Sequence, residues 1–538
     1  LRMAPDATYA ITINSVSERL SVVAAQVEIF GSMTMGMTMG CAQCHSHKFD
    51  PIPHRDYYRF SAIFRTAYDP YDWYSPIVTA SPSSPRAKAY PERSLPHVSK
   101  AEREAVEAHN APIEEEIEEL ERSLEEKTKP YRRKLLKERL SELPEGVGAD
   151  VQEALEIPAK DRSSIQKYLV KQFGSTLEIA KVALEKKFED YKEEAEKIKK
   201  AIGVAKKKLK RKPEIRALFD LGENPTPTHV LLRGDYQNLG GRVEPGVPSV
   251  LRAGLNPYKV VKPGWTTETT GRRLALARWL IQPNHPLTSR VMVNRVWQNH
   301  FGRGIVETVG NFGRMGAKPS HPKLLDWLAT EFVRQDWSLK KLHKLIMTSG
   351  VYRQSSDWSS SHAEIDPENK LLGKFPMLRL DADAIRDAIL KVAKRLNTKR
   401  FGSPEEVEVQ PDGEVVAKCG DTGCRRSIYM IQRRSTPLTM LEAFDAPQLN
   451  PNCLKRDVST VSSQSLQLWN SDMVRENSKY FAGRVMDAVG NGNIEKQVEW
   501  VYLNALSRPP SMEEKSRGAA DVRNLPQYWS EHLEEEVP

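Results

Sequence analysis

The stretch EEEIEELERSLEEKTKPYRRKLLKERL, Glu114–Leu140, sets the fold class. Its apolar residues, Ile117, Leu120 and Leu124 among them, recur three and four apart between charged ones, which puts one apolar stripe on a solvated helix. A second stretch, LEIAKVALEKKFEDYKEEAEKIKKAIGVAKKKLK, Leu177–Lys210, has the same texture, and ELPEGVGAD interrupts the run between them. Two such stretches predict a helical hairpin or coiled coil over residues 99–212, an arm projecting from the body and carrying no chemistry.

Outward from the arm the composition changes on both sides. Residues 1–98 begin with a helical pattern, SERLSVVAAQVEIFGSMTMGM, run into a cysteine motif, continue through YYRFSAIF and reach the Pro, Ser and Tyr-rich loop DPYDWYSPIVTASPSSP. Residues 213–265 hold short β-prone runs punctuated by Gly and Pro, as in PTHVLLRGDYQNLGGRVEPGVPSVL, and predict a small β or bridging segment. Residues 266–525 read as amphipathic helices, with Trp279, Trp297, Trp327 and Trp337 expected in the core, and residues 526–538 read as an acidic tail. The expected class is mainly α: a multidomain helical protein with a protruding hairpin and a minor β element.

A chain of 538 residues is too long for one ordinary core. No apolar run approaches the ~20 residues that span a bilayer. The formal charge of +9 raises nucleic acid as a partner. Its most visible basic run, KKKLKRK at Lys206–Lys212, has no interleaved aromatic residues, so a solvated helix end is expected and no nucleic acid. The start, LRMAPDATYA, has no initiator Met and no apolar signal core, so a processed form or a fragment is expected.

Chemistry concentrates in MTMGCAQCHSHKFDPIPHRDYYRF, Met37–Phe60. Cys41 and Cys44 are spaced as two thiols that reach the two vinyl groups of a haem, and His45 follows as the proximal iron ligand. For the sixth position His54 and Met33, Met35, Met37 or Met39 stand within reach, with an open or non-Met position preferred. A non-haem metal is the rival: Cys41, Cys44, His45, His47, His54 and Asp50 are zinc-type donors, and Cys419 with Cys424 offers a second pair. A disulfide or plain packing is the third reading. Thioether chemistry implies an extracytoplasmic protein. CGDTGC, Cys419–Cys424, follows the hairpin-like VEVQPDGEVVAK and predicts a local disulfide under oxidising conditions.

GCAQCHSHKFDPIPHRDYYRFSAIF resembles the end of the first of two paired domains of unknown function in planctomycete cytochrome c-associated proteins. HPLTSRVMVNRVWQNHFGRGIVETVGNFGRMGAKPSHP, LRLDADAIRDAIL, RRSIYM, EAFDAPQLN and RDVSTVSSQSLQLWNSDMV resemble successive motifs of the second. The resemblance covers residues 1–98 and 214–525. It implies an exported protein, periplasmic or at the cell surface, and the cysteine motif adds haem c as the expected cofactor and a redox partner protein. The alternative is a zinc-stabilised scaffold that binds a surface polysaccharide or a protein.

The second segment also carries polar residues that fit a pocket. If it is catalytic, His300, His321, Arg295 and Asp326 are the candidates, Arg to hold an anion and His to move a proton. No nucleophile elbow, phosphate loop or zinc-protease helix motif occurs, and PSHP reads equally well as a helix start with Ser320 or His321 at the cap.

Overall fold

The computed structural model describes residues 15–72, 94–96, 100–143, 146–158, 162–177, 181–210, 214–216, 218–264, 269–357, 360–402, 404–420, 423–433, 436–447 and 453–532. Among these are nineteen α-helices and four sheets of two strands each, so the class is mainly α with minor β elements. Most of the Pro, Ser and Tyr-rich loop lies outside the described residues. So does the end of the acidic tail, whose beginning continues the helix Met512–His532.

The chain divides into two compact units, one made of residues 91–218 and the other of residues 1–90 and 219–538. In the first unit the helix Lys100–Ser141 packs against Glu189–Lys208. Ion pairs Glu121–Lys206, Lys127–Glu194 and Glu138–Lys187 run in opposite senses along the two helices, which makes the pair antiparallel. The apolar stripe read from the sequence forms the seam: Leu124, Leu135, Leu184, Tyr191 and Ala195 are buried together, and Ile117 packs with Ile202 and Ala205. Ser94–Pro96 pairs antiparallel with Glu214–Arg216, so the unit begins and ends at one place.

In the second unit distant segments share a core. The helix Val16–Met35 packs on His54–Phe64, and Val27, Phe60, Ile63 and Phe64 meet Leu231, Val243, Leu276 and Trp279. Leu231 and Val243 come from the antiparallel hairpin Thr228–Leu231 and Leu239–Val243, where β structure is expected from the sequence. Asp220 ties this region together, accepting from the Thr66, Thr269 and Thr270 hydroxyls and from Arg273 Nη2 at 2.7–2.9 Å.

A second cluster gathers Val293, Trp297, Phe301, Leu325, Leu328, Phe332, Leu342 and Ile346 from the helices Thr288–Phe301, Pro322–Arg334 and Leu339–Met347. Trp279 and Trp297 are buried and Trp337 packs against this cluster, but Trp327 is 53% exposed, because it lies on the solvent face of its helix. Val407–Val409 and Val415–Ala417 form the expected hairpin, and the disulfide Cys419–Cys424 follows it.

Candidate functional site

The motif around Cys41 is built by the end of the first helix. Gly36 closes that helix at φ 59°, a left-handed cap open to glycine, and a Cβ there would stand 2.6 Å from the Phe312 ring. Met35 at the end of that helix, and Met37 and Met39 beyond the cap, are buried in the core, as hydrophobic anchors rather than ligands aimed at an iron. Glu28 Oε2 accepts from the Met39 and Gly40 amides at 2.9 and 2.7 Å and clamps the chain as it enters the 3-10 turn Gly40–Gln43. Ala42 on that turn is fully buried, whereas Cys41, Cys44 and His45 are exposed.

Neither Cys41 nor Cys44 is in a disulfide. Gly234, at φ +77°, lies so close to Cys44 that a Cβ would stand 2.8 Å from its Sγ. From the other side the Tyr58 hydroxyl donates to the Gln43 carbonyl at 2.7 Å. Burial, with a smaller push from Cys44, raises the Tyr58 hydroxyl far above the usual tyrosine range, which keeps its proton for that bond.

The three histidines of the motif differ in what their rings do. His45 Nδ1 lies 2.7 Å from the Ser46 carbonyl, which can only accept, so Nδ1 carries the proton and the lone pair is at the exposed Nε2. His47 Nδ1 accepts from the Asp50 amide at 2.9 Å and the Phe49 amide at 3.3 Å, which occupies its lone pair. His54 Nε2 donates to the Gln43 carbonyl at 3.0 Å. The Asp50 carboxylate is buried and accepts from the Arg314 amide at 2.7 Å. Among the described residues no three His, Cys, Asp or Glu side chains gather as a metal-binding group. Two free exposed thiols on one turn, with an imidazole whose Nε2 lone pair is open, are the donor set that a c-type haem takes.

The other polar candidates do not converge. Arg295 Nη2 donates to the Ser32 carbonyl at 3.4 Å, and Asp326 pairs with Arg290 on the surface at 2.8 Å. His321 is the residue before Pro322 at the helix start; its ring meets Ser320 Oγ at 2.9 Å and makes no cap bond. His300 instead meets a histidine that the sequence reading leaves out: its Nε2 lies 2.8 Å from His343 Nδ1. Glu28 also lines an open cleft of about 420 Å³ with Ser32, Thr38, Glu307, Asn311 and Lys455.

Two family models match the chain: PSCyt2, a protein of unknown function (DUF1549), over residues 6–69, and PSD1, a protein of unknown function (DUF1553), over residues 272–521. The chain belongs to the family of paired planctomycete cytochrome c-associated domains. Searches of curated proteins and of solved structures return no match. In this paired-domain protein the two matched segments fold as one unit, and the bonds from Arg314 to Asp50 and from the Phe312 amide to the Gly36 carbonyl, 2.7 Å each, join the PSD1 segment to both flanks of the cysteine turn.

Glu28, Tyr58 and Gly234 support the site, yet the sequence marks none of them. A carboxylate on an amphipathic helix, a core aromatic and a turn glycine each have commoner explanations.

Proposed function

We propose that the chain is an extracytoplasmic c-type-cytochrome-like protein that carries haem on Cys41, Cys44 and His45 and exchanges electrons with a partner protein. The observation that carries this reading is the turn itself: both thiols are free and exposed, and the Ser46 carbonyl holds His45 in the tautomer that leaves Nε2 open. A bound haem supplies a one-electron iron couple. The chain supplies two sulfurs for thioether bonds, each formed by adding S–H across a vinyl group, and an imidazole oriented by its Nδ1–H. Glu28 and Tyr58 hold the backbone of the turn, so the three donors keep their order in space. Burial of Met35, Met37 and Met39 supports a sixth position without Met.

The test is expression with a haem-maturation system in an exporting host, followed by a visible spectrum and intact mass. Covalent haem gives a Soret band that survives denaturation; Cys41→Ala and Cys44→Ala each leave a single attachment with a shifted reduced α band, and His45→Ala disturbs ligation. Protein without a Soret band but with stoichiometric zinc refutes the haem reading in favour of the metal-stabilised scaffold, and protein with neither refutes both.

A further inference from the structure

The helices Thr288–Phe301 and Leu339–Met347 bring His300 and His343 together, Nε2 to Nδ1, at 2.8 Å. Between two neutral imidazoles a single N–H can serve that contact, and it must come from a nitrogen facing the other ring. The same separation is close to that of neighbouring ligands on one ion: metal–nitrogen bonds of ~2.0–2.1 Å place adjacent donors about 2.9–3.4 Å apart in square or tetrahedral geometry. Two imidazoles whose nitrogens face each other along a hydrogen bond must each turn by about 35–45° for both lone pairs to meet at a shared ion.

The surroundings favour a cation. His300 is in the last turn of its helix, where the exposed carbonyls give the negative end of the helix dipole. An aromatic wall backs His300. Tyr352 stands edge-on to His300 with centroids 5.4 Å apart, and Phe301 and Phe375 extend the same aromatic wall.

We propose that His300 Nε2 and His343 Nδ1 are the protein ligands of a divalent transition-metal site of the imidazole-preferring class, zinc, nickel or copper, separate from the cysteine turn. No third His, Cys, Asp or Glu joins them among the described residues, so water completes the shell and leaves coordination positions open to a further ligand. That composition takes N-preferring ions over calcium or magnesium, which require oxygen donors.

Nickel titrated calorimetrically into the full chain, with its free thiols Cys41, Cys44 and Cys453 first blocked by alkylation, is the test, with His300→Gln and His343→Gln compared with wild type. The expected result is one equivalent bound by wild type, and affinity lower by at least about tenfold in each variant. Melting temperature adds a second readout: nickel raises it in wild type, EDTA reverses the rise, and neither histidine variant responds. His343 is only partly buried, so His343→Gln remains informative if His300→Gln fails to fold. No nickel binding by wild type, or equal binding by wild type and His343→Gln, overturns the proposal and leaves the pair as an N–H···N hydrogen bond.

Discussion

Gly234→Ala isolates what a residue remote in sequence does to the cysteine turn. Two penalties arise. An alanine at φ +77° sits in the left-handed region, which costs about 1–2 kcal/mol for a residue with a Cβ. The new Cβ would also stand 2.8 Å from Cys44 Sγ, well inside contact distance. Because Cys44 is exposed, the sulfur can yield by leaving its preferred rotamer, at about 0.5–1.5 kcal/mol. The sum is a loss of about 1.5–3.5 kcal/mol, of which only the second part depends on the sulfur. In a Cys44→Ala background that part vanishes, so the double-mutant cycle should show a coupling of about 1 kcal/mol. Urea unfolding of the four proteins at constant slope measures it, and the rate of Cys44 alkylation reports the redirected thiol. An equal penalty in both backgrounds, with an unchanged alkylation rate, would refute the contact and with it the view that Gly234 aims Cys44.

His285, buried with Nδ1 accepting from Thr288, has its pKa pushed down by burial to about 4. The unfolded chain therefore takes up a proton near pH 6.5 that the folded chain refuses. The stability this neutral form contributes is present above that pH and is lost, up to about 3 kcal/mol, as pH falls toward 4. His285→Asn should flatten that slope in denaturant titrations, leaving the smaller part carried by His300. Glu28→Ala removes the acceptor of the Met39 and Gly40 amides; a destabilisation of about 1–3 kcal/mol and faster alkylation of Cys41 are expected, both read on the purified apoprotein. Replacing residues 97–213 with a short linker should leave the melting transition of the other unit in place, since the arm has its own apolar seam; loss of cooperativity in calorimetry would show otherwise.

The arm was legible because its information is local: three-and-four spacing of Ile and Leu among charges needs no partner to be recognised. Pairing of Cys419 with Cys424 was legible for the same reason. The cysteine turn was found by its spacing, but its supports were not, since Tyr58 reaches Leu231 and Asp50 reaches Arg314 across tertiary contacts that leave no periodic trace. Met33 to Met39 look like a ligand-bearing comb in one dimension, yet three of the four have their thioethers in the core. His343 sits in KKLHKLIM as one polar residue on an amphipathic helix, and only the packing of that helix brings it to His300.

The Asp50–Arg314 hydrogen bond spans 264 residues, and the contact of Tyr58 with Leu231 spans 173. At synthesis rates of about 5–20 residues per second, the last anchor of the turn emerges roughly ten seconds to a minute after its cysteines. Throughout that interval Cys41 and Cys44 belong to an unlocked segment, open to any enzyme that modifies thiols on an unfolded chain. The turn thus gains its last anchor only once the intervening polypeptide has been made, and shortening that polypeptide would shorten the interval.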